Sequence, residues 1–111
     1  MGNYQAITKY IRISPRKARL AAALIRGLPV EQARLQLAAC QMKGGRLLSK
    51  TLESAVANAE VHSDASANRL IVNEVRVDEG PRLKRAKPRS KGSRHPILKR
   101  TSHFTVVVAT A

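Results

Sequence analysis

One segment decides what this chain can fold into. The run "GPRLKRAKPRSKGSRHPILKR", Gly80 to Arg100, carries nine of the 21 Lys and Arg and no carboxylate. Charge of that density cannot be buried without partners, so the core has to be built from the remaining residues. The segment is not a tail. "RLIVNEVRVDEG" leads into it and "TSHFTVVVATA" follows it, and both read as strands. In the first, Ile71, Val75 and Val77 are expected on one face and Glu74, Arg76 and Asp78 on the other. In the second, Phe104, Val106 and Val108 share a face. A basic segment tied to strands at both ends is expected to be the two sides of one long hairpin.

Register supports that reading. A turn centred on Lys91-Gly92 pairs Val75 with Val108 and Val77 with Val106, so the apolar faces coincide. A slip of one residue would set Val77 against Val107, on the wrong face. With about ten residues per side at about 3.3 Å each, the arm would extend on the order of 30 Å. That is more than twice the ~13 Å radius of gyration expected for a domain of this length. Pro81, Pro88 and Pro96 remove donors and should interrupt the ladder. With no core of its own, the tip is expected to be mobile until a partner surrounds it.

The rest of the chain supplies a modest core. "YQAITKYIRI" reads as a first strand, Tyr4 to Ile11. In "SPRKARLAAALIRG", Ser14 suits an N-cap, Pro15 the first helical position and Gly27 the residue just past the end. Leu20, Ala21, Leu24 and Ile25 share one arc of that helix, while Arg16, Arg19 and Arg26 share the opposite one. "LPVEQARLQLAAC" reads as a short second helix with Val30, Ala33 and Leu37 inward. Gly44-Gly45 breaks the chain, and a third helix, starting just before or just after the pair, carries Leu48, Leu52, Ala55, Val56 and Ala59 at helical spacing, ended by the polar loop "SDASAN". The expected architecture is α+β: three helices packed on a three-stranded antiparallel sheet with a long protruding β-hairpin. Residues 1–111 form one domain, with 80–100 as the arm.

The formal net charge of +14 selects the class of partner. Self-repulsion of that size is relieved by a polyanion, of which nucleic acid is the first candidate and an anionic membrane the second. Only Tyr4, Tyr10 and Phe104 are aromatic, which argues against recognition by base stacking. No run reaches membrane-spanning length. The start "MGNYQA" lacks a secretory core and has Ala6 where an N-myristoylation signal wants Ser or Thr. Cys40 stands alone, so neither a disulfide framework nor a zinc pattern is expected, and a buried structural thiol is the simplest account. His62, His95 and His103 sit on separate elements without metal-ligand spacing. Asp78 and Glu79 are adjacent and point apart, which suits pairing with nearby arginines better than catalysis. No enzyme and no cofactor is expected.

The basic residues of the arm are interspersed with Leu83, Ala86, Ile97 and Leu98, so Lys84, Arg85, Lys87, Arg89, Lys91 and Arg94 can project to several sides. A folded RNA cavity surrounds such an arm better than one groove of duplex DNA does. The alternative is a DNA-bending architectural protein with a basic β-arm. That would need a dimer to clamp the duplex, and no dimerisation face stands out. A membrane-surface protein would need large apolar anchors opposite its basic face, and the arm has none.

"SPRKARL" with "LIRG", "LESAVANAE", "VDEGPRLKRAKPRSKG" and "ILKRTSHFTVVV" together resemble the bacterial family of ribosomal protein twenty-two of the large subunit. The resemblance implies an RNA-binding constituent of the cytoplasmic large ribosomal subunit that helps organise ribosomal RNA during assembly. Its hairpin would line the nascent-peptide exit tunnel near protein four of the same subunit. The implied RNA contacts are Arg12, Ser14, Arg16, Lys17, Arg19 and Arg26 on the domain, and Arg82, Lys84, Arg85, Lys87, Arg89, Lys99 and Arg100 on the arm. Ser90, Lys91, Gly92, Ser93 and Arg94 would form the tip that the nascent peptide passes. No membrane contact and no homo-oligomer is implied.

Overall fold

The fold was established from a computed structural model, which describes residues 3–62, 69–88 and 94–110. The elements follow in the order β1 (Asn3–Ile11), α1 (Pro15–Ile25), α2 (Val30–Ala39), α3 (Lys43–His62), β2 (Leu70–Glu79), β3 (Leu83–Pro88), β4 (Arg94–Lys99) and β5 (Ser102–Thr110). A three-stranded antiparallel sheet has the order β1-β5-β2, and β3 and β4 pair separately as the arm. This is the expected α+β fold. The principal extents of 64 × 25 × 16 Å and radius of gyration of 17.0 Å exceed the ~13 Å of a compact chain this long.

The register differs from expectation in a way that keeps the faces. Val75 pairs with Val106 and Val77 with Phe104, two residues from the predicted partners. A two-residue displacement preserves the strand period, so the apolar faces still meet. Its source is local. In the arm, Pro88 pairs with Arg94 and Leu83 with Lys99, which centres the connection on Lys91. At the base of the arm, Gly80, Pro81 and Arg82 then stand opposite only Arg100 and Thr101. The Gly80 N–H donates to the Thr101 carbonyl at 2.9 Å, and the Thr101 hydroxyl donates to the Pro81 carbonyl at 2.6 Å, which pins the junction. The predicted turn at Lys91-Gly92, the expected tip residues 90–93 with their expected mobility, and the expected "SDASAN" loop lie outside the described residues.

A second irregularity corrects one inward residue. The ladder shifts between Val72 and Glu74, leaving Asn73 as the extra residue of a bulge. Parity therefore changes, and Leu70 and Val72 are buried ahead of it while Ile71 is only half-buried. The bulge lies where the chain after α1 meets β2. The Gly27 N–H donates to the Val72 carbonyl at 3.0 Å, and the Val72 N–H to the Leu28 carbonyl at 2.8 Å. Gly27 has φ of 81°, the left-handed stop expected of a glycine just past a helix.

The buried stripe of α1 keeps the predicted Ala21 and Ile25 but not the two leucines. Ala18, Ala21, Ala22 and Ile25 are buried, whereas Leu20 and Leu24 are 60% and 41% exposed. Small side chains face inward because α3 comes close. A Cβ on Gly44 would lie 3.3 Å from Ile13 Cδ1 and 3.4 Å from Ala18 Cα. Gly44 and Gly45 are thus buried in the first turn of α3, and they mark close approach, not a break. The inward residues of α2 (Val30, Ala33, Leu37) and α3 (Leu48, Leu52, Ala55, Val56, Ala59) are as predicted. Phe104, on the central strand, is fully buried among them. Cys40 follows α2 and is half-buried, not fully buried, since its chain is turning towards α3 at the surface.

Candidate nucleic-acid interface

Three clefts line up along one side of the domain and share residues. The largest, of 340 Å³, is lined by Arg12, Ile13, Ser14, Lys17, Lys43 and Arg100. Its position follows from the chain path. β1 ends at Ile11, a short link leads into α1, α3 starts alongside, and Arg100 arrives from the returning side of the arm. The Lys43 ammonium donates to the Arg12 carbonyl at 2.9 Å, tying the start of α3 to that link. Ser14 occupies the N-cap position of α1, but its hydroxyl does not cap the helix. The uncapped amino end of α1 adds partial positive charge to the cleft wall.

Arg100 also lines a second cleft of 150 Å³, with Pro15, Arg16, Arg19, Glu79 and Arg82. Here charge is partly compensated: Arg82 pairs with Glu79 at 2.7 Å. Arg76 likewise pairs with Asp78 at 3.1 Å, so both adjacent acids bind arginines, as the sequence suggested. Lys43 lines a third cleft of 220 Å³ with Arg46, Leu47 and Lys50. Neither the first nor the third cleft contains a carboxylate. Among the described residues, Arg12, Arg16, Lys17, Lys43, Arg46, Lys50 and Arg100 make no ion pair.

The predicted basic residues divide accordingly. Arg12, Ser14, Arg16, Lys17 and Arg100 come together at the base of the arm. Lys17, which sits towards the apolar arc on a helical wheel, is exposed and reaches the same cleft. Arg19 and Arg26 have another occupation. The Arg19 guanidinium donates to the Val77 carbonyl at 3.2 and 3.0 Å, and Arg26 donates to the Val75 carbonyl at 2.7 Å. Val75 and Val77 lie on β2, an edge strand whose outer carbonyls would otherwise go unpaired. Arg26 lines none of the three clefts.

On the arm, Lys84, Arg85 and Lys87 occupy β3, and Arg94 and Lys99 occupy β4, at register positions opposite Leu98, Ile97, His95, Pro88 and Leu83. Arg89 and the expected tip residues Ser90, Lys91, Gly92 and Ser93 lie outside the described residues. Sequence reasoning missed Lys43, Arg46 and Lys50. Their i, i+3, i+7 spacing was available as a signal, but a helix start left open between just before and just after Gly44-Gly45 gave Lys43 no settled place on its face.

His103 belongs to the sheet. Its Nδ1 accepts from the Tyr10 N–H at 3.1 Å, and its ring meets Tyr10 edge-on at 5.0 Å between centroids. Among the described residues no three His, Cys, Asp or Glu converge as a metal site, and no helix is long and apolar enough to cross a membrane.

Comparison with known proteins bears on what this surface meets. The family described as "Ribosomal protein L22p/L17e" matches residues 6–109. The chain is 67% identical over 109 residues to the large ribosomal subunit protein uL22 of Protochlamydia amoebophila (strain UWE25), covering 98% of each. It is 58% identical over 105 residues to the large ribosomal subunit protein uL22 of Chlamydia abortus, covering 95% of each. The same-named protein of Chlamydia pneumoniae is 57% identical over 105 residues, again with 95% of each covered.

Proposed function

The chain belongs to the ribosomal protein L22p/L17e family, and on that premise we propose that it binds and organises large-subunit ribosomal RNA during assembly. Proteins of this family are structural and not enzymes. The chain's place is the large ribosomal subunit, in the cytoplasm. Its partners are ribosomal RNA and neighbouring ribosomal proteins, with protein four of the large subunit beside the tip. The β3–β4 arm lines the nascent-peptide exit tunnel, with residues 90–94 at its tip.

The observation that carries this reading is the carboxylate-free cleft at the root of the arm, where Arg12, Lys17, Lys43 and Arg100 share one opening. Phosphates placed there neutralise cations that make no ion pair among the described residues and release the counterions those cations hold. Lys84, Arg85 and Lys87 on β3 and Arg94 and Lys99 on β4 follow directly from that root, so RNA packed around the root would also meet the arm.

Co-sedimentation with large ribosomal subunits tests membership, and a photo-crosslinker at position 92 tests the arm's location. The expected products link position 92 to ribosomal RNA, to protein four or to a stalled nascent peptide. Crosslinks confined to the subunit's outer surface would exclude the tunnel. Preference for duplex DNA over structured ribosomal RNA in a competition assay would exclude the RNA reading altogether.

A further inference from the structure

We propose that Lys43, Arg46 and Lys50 form a phosphate-binding edge on α3, along which the RNA backbone held at the root of the arm continues. The inference rests on the RNA-binding reading above and adds a surface to it.

Four observations lead there. Lys43 lines both the root cleft and the α3 cleft, so the two adjoin at that side chain. Lys43, Arg46 and Lys50 recur at i, i+3 and i+7 and therefore form one stripe, about 10 Å long at 1.5 Å per residue. The opposite side of α3 carries the buried residues, among them Leu48, Leu52 and Ala55. All three cations are exposed, and none has a carboxylate partner among the described residues.

Position along the helix points the same way. The first turn of α3 contains no acid, yet it carries Lys43 and Arg46, cations at the positive end of the helix dipole, where anions are favoured. Like charges beside a like-signed helix end oppose folding of the free domain. The Arg12 carbonyl offsets part of this at Lys43, and an external anion would relieve the rest. The chemistry of the cleft selects that anion. Its apolar wall is Leu47 with the alkyl stems of Lys43, Arg46 and Lys50, whose charged ends stay in water, and it has no aromatic or large apolar side chain to anchor an acidic protein or a bilayer. Evenly charged, flexible and apolar-free, a phosphodiester backbone fits.

The test uses the full chain and transcribed large-subunit ribosomal RNA, with filter binding across a salt series and hydroxyl-radical footprinting. The triple variant Lys43→Gln/Arg46→Gln/Lys50→Gln should lower the slope of log K against log salt by about 2, at roughly 0.7–0.9 per lost phosphate contact. It should also open a footprint contiguous with the one lost in Arg12→Gln/Arg100→Gln. Because Lys43 holds the Arg12 carbonyl, Arg46→Gln/Lys50→Gln serves as a second variant that keeps this bond, with an expected slope change of about 1.5.

If both variants bind with the wild-type slope while Arg12→Gln/Arg100→Gln is weakened, the α3 edge is refuted and the root cleft stands. If wild-type binding shows no salt dependence at all, the RNA-binding reading itself fails. Should the triple variant lose only adhesion to vesicles of mixed phosphatidylglycerol and phosphatidylcholine, with RNA binding intact, the proposed ligand is wrong.

Discussion

Arg16 and Arg19 are three residues apart on one helix, yet they do different things. Arg19 is spent on the Val77 carbonyl, whereas Arg16 makes no ion pair and lines a cleft. Arg19→Gln should therefore destabilise the fold by about 1 kcal/mol, the scale of a lost charge-assisted hydrogen bond at a part-buried edge. Arg16→Gln should leave the melting temperature unchanged and lower only RNA affinity and its salt slope. Thermal unfolding and filter binding on the same two proteins separate the roles; equal melting temperatures would disprove the edge clamp. A helical wheel could not have divided these arginines, since the acceptors are backbone carbonyls that leave no trace in a residue pattern. The two adjacent glycines of α3 make the complementary case. A Cβ on Gly45 would sit 2.9 Å from both Cβ and Sγ of Cys40, and the Cys40 Cβ cannot move without the backbone. Gly45→Ala should cost about 1–2 kcal/mol by overpacking, despite the ~1 kcal/mol that alanine ordinarily gains in a helix. Gly44→Ala, with contacts of 3.3–3.5 Å, should cost less, and urea midpoints will rank them.

At the scale of elements, the legible parts were those whose burial follows a single period. α2 and α3 present one apolar stripe each, and the structure buries those stripes. α1 has two, and the larger side chains mislead: Leu20 and Leu24 stay outside because α3, through Gly44, approaches too closely for leucine. β2 has one inward face on each side of Asn73, and no alternation pattern marks a residue that changes parity. The α2–α3 contact is fastened at its rim. Arg34 binds Glu53 with two hydrogen bonds of 2.7 and 3.0 Å. The hydrogen bond to Glu53, reinforced by that residue's charge, raises the guanidinium pKa above its ordinary value. Such a half-exposed pair contributes about 0.5 kcal/mol. The arm is a separate element in the energetic sense too, since β3 and β4 pair only with each other. Deleting Lys87 to Arg94 should leave the helical circular dichroism and the unfolding midpoint nearly unchanged while weakening RNA binding. Global unfolding of the deleted protein would mean that the domain depends on its arm.

For the whole molecule, charge and shape coincide. The seven clustered cations without ion pairs lie around the root of the arm, and the acids of β2, with Glu53 of α3, are engaged with Arg76, Arg82 and Arg34. If six to eight of the domain and arm cations meet phosphate, log K should fall against log salt with a slope of about −5. A slope near zero would rule out a phosphate-dominated interface. The net charge made a polyanion legible from composition, but the continuity of the clefts depends on three chain segments that are distant in sequence.

The central place of β5 has a consequence in time. Asn3 pairs with Ala109 and Glu79 with Ser102, so neither flanking strand has its sheet partner until the residues after the arm exist. At about 5–20 residues per second, β1 waits roughly 5–20 s during synthesis while helices and arm are made around it. Contacts this far apart in sequence also slow folding. A chain cut after Arg100 should retain helical content but show no cooperative unfolding transition, and each newly made molecule emerges with its RNA-seeking surface exposed before its sheet can close.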